Sequence, residues 1–137
     1  MSYQKLAEEL IEFFGQLKSG PIPPPNAMEL SRGEIGILIY LVQHKNSASA
    51  GELSQELNLT TGRIATALKS LEKKKYVERR VDPDDGRRVI VYLTELGSQF
   101  TNNKKQEAKT HIIENLEKLT YEEAEHFTLL IKKYFSD

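Results

Sequence analysis

Residues 60–94 read TTGRIATALKSLEKKKYVERRVDPDDGRRVIVYLT, a helix pattern followed by a strand–turn–strand pattern. Apolar residues recur at steps of three and four from Ile64 to Leu71, which predicts one buried face of a helix. Thr60 or Thr61 is a natural N-cap for that helix. The opposite face carries polar and basic side chains: Arg63, Thr66, Lys69 and Ser70.

The second half of this stretch predicts a β-hairpin. The runs at 76–81 and 88–94 are rich in β-branched and aromatic residues, and the turn sequence DPDDG lies between them. In the second run, the residues at 89, 91 and 93 alternate with those at 90 and 92, so we expect one of the two sets to anchor the hairpin to the core.

A shorter helix pattern comes directly before residue 60. Ala50, Leu53, Leu57 and Leu59 make a short helix, and Ser49 or Ala50 lies near its start. Two short helices followed by a hairpin is the order of a winged helix-turn-helix, whose second helix enters the major groove of DNA. We therefore expect a mainly α fold with a small β-hairpin wing.

Four further segments complete the expected organisation. Residues 3–17 form an amphipathic helix pattern, and residues 31–45 form a nearly all-apolar one that belongs in the core. The proline-rich stretch 19–30 separates the two, because consecutive prolines stop a helix. A long helix of about 25 residues follows Thr94, and a last amphipathic helix begins after Thr120.

Length and composition indicate one ordinary domain. The chain has 137 residues, enough to bury a real core, and cysteine is absent, which excludes disulfides and thiolate metal sites. The first ten residues are polar rather than signal-like, and no apolar run approaches the length of a membrane span. We therefore expect a cytoplasmic protein that has no membrane partner.

The charge of the chain is distributed unevenly, although its formal net charge is only −1. Residues 60–92 contain nine basic and five acidic side chains, a local net of +4. Residues 107–137 contain seven acidic and four basic side chains, a net of −3. A basic middle is where an anionic partner would bind, although a solvated face balancing an acidic one gives the same pattern.

The winged arrangement gives these residues a chemical interpretation. Hydroxyls at the start of the second helix suit hydrogen bonds to phosphates and base edges, and Gly62 would let the backbone approach DNA closely. Arginines at the hairpin tip would reach the minor groove, where Asp85 could orient Arg87 through an ion pair. Some of the lysines at 73–75 would also face phosphates. The candidate DNA-binding residues are Thr60, Thr61, Arg63, Thr66, Lys69, Arg87 and Arg88.

The wing sequence also resembles that of a known family. Asp85-x-Arg87, then five residues, then Leu93-Thr94 is similar to the wing signature of the MarR family of bacterial transcriptional regulators. The resemblance extends over nearly the whole chain. It implies a homodimer that binds a double-stranded, pseudo-palindromic operator, with Arg87 in the minor groove and Asp85 as its orienting partner.

The same resemblance implies the domain plan and the regulatory role. Residues 1–137 would be a single MarR-type domain, with dimerisation helices at 1–18 and 95–137 and a DNA-binding lobe at 31–94. Within that lobe the helix-turn-helix spans about 50–74 and the wing about 76–94. A repressor that a small-molecule effector releases fits this family, whose members often sense amphipathic or phenolic molecules.

Two departures from the family pattern stand out. Lys75 occupies a position where the family often has a glycine ending the recognition helix, which would make that cap less tight. The connection GPIPPP at 20–25 is unusual, and it affects the local shape of any ligand cleft beneath it.

Two other classes of function fit the sequence less well. The histidines (His44, His111 and His126) are scattered, and the pair Glu123–His126 on a polar helix face is typical of ordinary surface. We therefore expect no enzyme, no metal and no cofactor. The alternative is a winged-helix adaptor that binds an acidic protein through its basic face, and a salt-dependent shift on duplex DNA would separate the two.

Overall fold

The computed structural model describes residues 2–16 and 30–136. Within them lie six helices: α1 Tyr3–Gln16, α2 Arg32–Gln43, α3 Ala50–Leu57, α4 Thr61–Lys73, α5 Glu95–Leu116 and α6 Tyr121–Tyr134. Three strands accompany them: β1 Ser47–Ser49, β2 Val77–Val81 and β3 Val89–Leu93. The predicted helix break at 19–30 and the unusual connection at 20–25 lie outside the described residues, apart from Leu30.

Local capping chemistry explains where most of these helices begin. Ser31 and Glu34 form a capping box at α2, and Thr120 and Glu123 form another at α6. Of the two possible starts of α3, Ser49 is the cap, and it accepts a hydrogen bond from the backbone N–H of Glu52, at 3.1 Å.

The chain divides into two compact units, with the boundary inside α5. One consists of Met1–Ile22 and Lys105–Asp137, and the other of Pro23–Lys104.

The Pro23–Lys104 unit holds the larger core. Side chains from α2, α3, α4 and the sheet meet there, and fully burying an aliphatic side chain contributes roughly 1.5–3 kcal/mol to stability. The buried members are Ile37, Leu38, Leu41, Ala48, Leu53, Ile64, Ala67, Leu68, Leu71, Val77 and Val91. The predicted buried face of α4 is confirmed. In the shorter helix Leu53 is buried, and Ala50 and Leu57 are partly buried against the core; Leu59 also packs there but lies beyond α3, because Asn58 ends that helix. Val91 is buried and Leu93 packs beside it, so the set at 89, 91 and 93 is the one that anchors the hairpin.

The sheet has one strand more than the sequence predicted. Its order is β1-β3-β2, both pairs antiparallel, with Ala48 opposite Val91 and Val77 opposite Leu93. The predicted hairpin is present as β2 and β3, and backbone pairing with β3 draws the short segment at 47–49 into the sheet as a third strand. A three-residue run of small side chains has no strand signature of its own.

Helix α2 is shorter than predicted and less completely buried. It ends at Gln43 instead of continuing to residue 45, since Lys45 and Asn46 both adopt left-handed backbone conformations, with φ of 60° and 67°. Ile39 and Val42 on its outer face are 37% and 47% exposed. Only the inner face of α2 therefore belongs to this core.

The other unit packs α1 against the end of α5 and against α6. Its buried side chains are Leu6, Ala7, Leu10, Leu116 and Ala124. Hydrogen-bonded ion pairs join α1 to the other two helices at the rim, Lys109 with Glu8 at 2.6 Å and Lys132 with Glu9 at 3.3 Å.

Candidate nucleic-acid interface

The turn between α3 and α4 aims the N-terminus of α4 at solvent. Asn58 ends α3 in a left-handed conformation with φ of 54°, and the Ser54 hydroxyl donates a 2.6 Å hydrogen bond to the carbonyl oxygen of Leu59. Thr60 then caps α4, accepting a 3.1 Å hydrogen bond from the backbone N–H of Arg63. Thr60 is thus the N-cap, and its hydroxyl proton stays available for an outside acceptor.

The outward face of α4 carries the predicted residues. Thr61, Gly62, Arg63, Thr66 and Lys69 are all exposed, on the side opposite the buried Ile64 and Leu68. The hydroxyl of Thr66 donates a 3.0 Å hydrogen bond to the carbonyl oxygen of Gly62, so it can accept a hydrogen bond from a ligand but has already used its proton. Thr66 and Thr60 therefore differ as hydrogen-bonding groups, because the hydroxyl proton of Thr60 is still available to a ligand.

Helix α4 ends in a Schellman motif. The backbone N–H of Tyr76 donates to the carbonyl oxygen of Leu71 at 3.0 Å, and that of Lys75 donates to the carbonyl oxygen of Glu72 at 2.9 Å. Lys75 adopts the left-handed conformation that this motif requires, with φ of 68°. The helix therefore ends as it would with a glycine, but with a side chain at a position where side chains are disfavoured.

The tip of the wing, between β2 and β3, is ordered by two aspartates. Asp82 accepts a 2.9 Å hydrogen bond from the backbone N–H of Asp84, and Asp85 accepts one of 3.0 Å from that of Arg87. The Arg87 Nε lies 3.6 Å from Asp85 Oδ1, although the Arg87 side chain is 95% exposed. Asp85 thus fixes the backbone of Arg87 and stays close to a guanidinium that extends into solvent.

The nine basic side chains of residues 60–92 fall into two sets. Four have acidic partners: Lys74 pairs with Glu34 at 2.9 Å, Arg79 with Glu72 at 2.5 Å, Arg80 with Glu78 at 3.0 Å and Arg87 with Asp85 at 3.6 Å. Among the residues that the structure describes, no ion pair is found for the second set: Arg63, Lys69, Lys73, Lys75 and Arg88. The local excess of positive charge therefore lies on α4, at its end and in the wing.

Of the three lysines at 73–75, Lys74 is the one for which the described residues show an ion pair, with Glu34. Its ammonium group turns inward to Glu34, and the Ser70 hydroxyl donates to the same carboxylate. Nothing in the sequence marks this cluster beyond the capping box of α2, because its members are 36 and 40 residues apart.

Other kinds of site find little support in residues 2–16 and 30–136. No group of three or more histidine or acidic side chains there is arranged to hold a metal ion. Glu123, half of the Glu123–His126 pair, is used in the capping box of α6. None of the helices in these residues is long and apolar enough to cross a bilayer.

Comparison with known proteins points to one family. A sequence profile described as MarR family matches residues 29–88, which include α2, α3, α4, β1 and β2. YdgJ of Bacillus subtilis, an uncharacterised HTH-type transcriptional regulator, is 31% identical over 86 residues, or 63% of this chain. The match spans about half of that relative, 52% of its length.

Solved structures show the same fold. A mutant of MepR from S. aureus superposes with a TM-score of 0.70 at 23% identity, covering 80% of each chain. Streptococcus pneumoniae FabT, solved in complex with DNA, gives a TM-score of 0.64 at 23% identity over 78% of this chain and 74% of that one. These matches confirm the winged helix-turn-helix prediction. The profile match, the curated relatives and the fold all support a protein of the MarR family.

Proposed function

We propose that this chain is a sequence-specific, DNA-binding transcriptional regulator that acts in the bacterial cytoplasm. The observation that carries the proposal is the division of its basic side chains. Within residues 60–92, the cations for which the structure shows no ion pair lie on α4, at its end and in the wing, where the winged arrangement would meet DNA.

Each part of the interface would meet a different part of the duplex. Helix α4 would enter the major groove, with Arg63 and Lys69 as its long donors and the Thr60 hydroxyl free to donate to a phosphate. The wing would place Arg87 in the adjacent minor groove, where a narrow groove concentrates negative potential. Arg88 would contact phosphate, which strengthens binding to any sequence.

Known proteins support this assignment. YdgJ bears the description of an HTH-type transcriptional regulator, and FabT was solved bound to DNA. The family profile covers residues 29–88, which include α4 and the first strand of the wing.

We further propose that the protein is a homodimer joined through residues 1–18 and 95–137, with residues 31–94 as the DNA-binding lobe. The outward face of α6 supports this proposal: Phe127, Leu130 and Tyr134 are 47%, 58% and 81% exposed at helical spacing. A second copy of the same helix would cover this apolar stripe. We expect sedimentation to show a dimer at micromolar concentration, and a stable 15.6 kDa monomer would contradict it.

A repressor is the regulatory mode that we propose, together with release by a small-molecule effector. A dimer that covers an operator excludes other proteins from it. A small apolar molecule that changes the spacing of the two DNA-binding lobes would lower the affinity of the dimer for its two half-sites. Footprinting on the DNA upstream of its own gene would identify the operator for all later tests.

Binding to duplexes of varied half-site spacing tests the central proposal. A two-fold dimer that places one α4 in each of two major grooves requires half-sites about one helical turn apart, roughly 10 base pairs. If each protomer neutralises about three to five phosphates, log affinity should fall with log salt at a slope of about −5 to −9. Equal affinity for every spacing would contradict sequence-specific regulation and favour the adaptor.

A further inference from the structure

Glu34 is a buried carboxylate that joins two helices of the DNA-binding lobe. It lies in the first turn of α2, with only 7% of its surface exposed. Its Oε2 accepts hydrogen bonds from the Ser70 hydroxyl at 3.2 Å and from the Lys74 ammonium group at 2.9 Å. Both donors belong to the C-terminal end of α4, so one side chain of α2 holds two consecutive turns of the recognition helix.

The other carboxylate oxygen of Glu34, Oε1, belongs to the cap of α2. Oε1 accepts a hydrogen bond from the backbone N–H of Ser31, at 3.4 Å, as part of the α2 capping box. A capping box needs only one acceptor oxygen at this position and works with glutamine as well as glutamate. The contacts of Oε2 therefore exceed what capping α2 requires.

The charge of Glu34 is held in place by these partners. Burial alone would raise the pKa of Glu34, but the hydrogen bonds from Lys74 and Ser31 outweigh it and lower that pKa below the ordinary value. The carboxylate is therefore ionised at neutral pH and attracts Lys74 permanently. An ion pair whose carboxylate is buried and also accepts a hydrogen bond from Ser70 is directional, which suits orienting a helix.

We infer that Glu34 is a positioning residue for DNA recognition: through Ser70 and Lys74 it fixes the angle at which α4 presents its outward face to the major groove. The inference rests on the proposed function of α4 as the recognition helix. It assigns Lys74 to this internal link and not to phosphate binding.

The test compares two substitutions that remove one negative charge from the same lobe. Glu34→Gln keeps the capping oxygen but loses an acceptor for Lys74, so the link to α4 is broken. Glu72→Gln is the matched control, because the carboxylate of Glu72 pairs with Arg79 of β2 and not with a residue of α2. For each protein, the affinity for the operator and for an unrelated duplex gives a specificity ratio, measured well below the unfolding temperature.

We expect the specificity ratio to fall roughly tenfold in Glu34→Gln, the scale of one disturbed base-edge contact. In Glu72→Gln the affinities for the operator and for the unrelated duplex should rise by the same factor, so the specificity ratio stays unchanged. The reason is that one additional net positive charge strengthens binding to any DNA sequence alike. A merely structural role of Glu34 would lower the unfolding temperature and leave the ratio as in the parent. A Glu34→Gln ratio within twofold of the parent overturns the inference.

Lys74→Met breaks the same link from the exposed side and avoids a buried substitution. It should also lower the specificity ratio, while the slope of log affinity against log salt stays unchanged because Lys74 pairs with Glu34. A slope shallower by about two per dimer would show that Lys74 contacts phosphate and would overturn the inference. If the parent protein shows no preference for the operator, the proposed function and this inference are both overturned. If the parent shows the preference and both Glu34→Gln and Lys74→Met retain it in full, the inference alone is overturned.

Discussion

The carbonyl oxygen of Lys75 accepts a 2.7 Å hydrogen bond from the hydroxyl of Thr94. The same hydroxyl oxygen accepts a 2.9 Å hydrogen bond from the backbone N–H of Gly97 in the first turn of α5. One side chain therefore joins the left-handed residue that ends α4 to the start of α5. The end of α4 is fixed from outside the helix, which explains how a lysine is held in a glycine-like conformation.

Replacing that lysine should stabilise the protein. We expect Lys75→Gly to raise the free energy of unfolding by about 0.5–1 kcal/mol. A side chain in the left-handed region costs about 1–2 kcal/mol, and part of the relief is lost because glycine makes the unfolded chain more flexible. Urea unfolding at fixed protein concentration measures the change. Lys73→Gly, inside α4, is the control and should destabilise by a similar amount. A Lys75→Gly protein less stable than the parent would contradict the assigned conformation.

Two glycines of this lobe should respond oppositely to a methyl group. A Cβ at Gly97 would overlap the carbonyl oxygen of Tyr76 and come within 2.9 Å of Leu93 Cδ1, while one at Gly62 would meet nothing within 4 Å. Gly97→Ala should therefore lose about 1–3 kcal/mol of stability, as overpacking does. Gly62→Ala should keep or gain stability, yet weaken DNA binding if the backbone there approaches the duplex.

Thermal unfolding and operator binding of the two variants check this pair. A stable Gly97→Ala protein would show that α5 and the turn after α4 do not approach each other this closely. Operator affinity unchanged in Gly62→Ala would show that this turn of α4 stays away from DNA.

Removing the wing arginine should affect binding but not folding. Arg87→Ala should weaken operator binding by about 1–3 kcal/mol, the value of one good groove contact. The unfolding temperature should not change, since the side chain is 95% exposed. Arg88→Ala is the comparison and should weaken all duplexes alike. Operator binding by Arg87→Ala as tight as that of the parent at moderate salt would make the wing assignment wrong.

Acid should remove the stabilisation that Glu34 provides. Its pKa is lowered in the folded protein, so the folded state binds a proton less readily than the unfolded chain. Its contribution is present above the ordinary glutamate pKa and is lost as the pH falls through the folded value. Unfolding free energies of the parent and of Glu34→Gln, compared from neutral to acid pH, should therefore converge. A difference that stays constant with pH would show that the charge of Glu34 does not stabilise the fold.

The sequence by itself determined the local features of this protein. The capping boxes of α2 and α6, the cap at Thr60 and the wing turn all depend on hydrogen bonds between residues two or three positions apart. The buried faces of α3 and α4 follow from helical periodicity. Such interactions are fixed by spacing along the chain, and so the winged helix-turn-helix follows from the order of the residues alone.

Only the tertiary structure decided the features that depend on distant residues. Strand β1 exists because β3 pairs with it, and the ammonium group of Lys74 is engaged because Glu34, 40 residues earlier, lies beside it. The hydrogen bond from the Thr66 hydroxyl to the carbonyl oxygen of Gly62 is local. Spacing along the chain still does not predict it, because that hydroxyl could equally well donate to solvent in another rotamer. Which cations are free to meet DNA is thus a property of the packed fold, since a charge is neutralised by its neighbours in space and not by those in sequence.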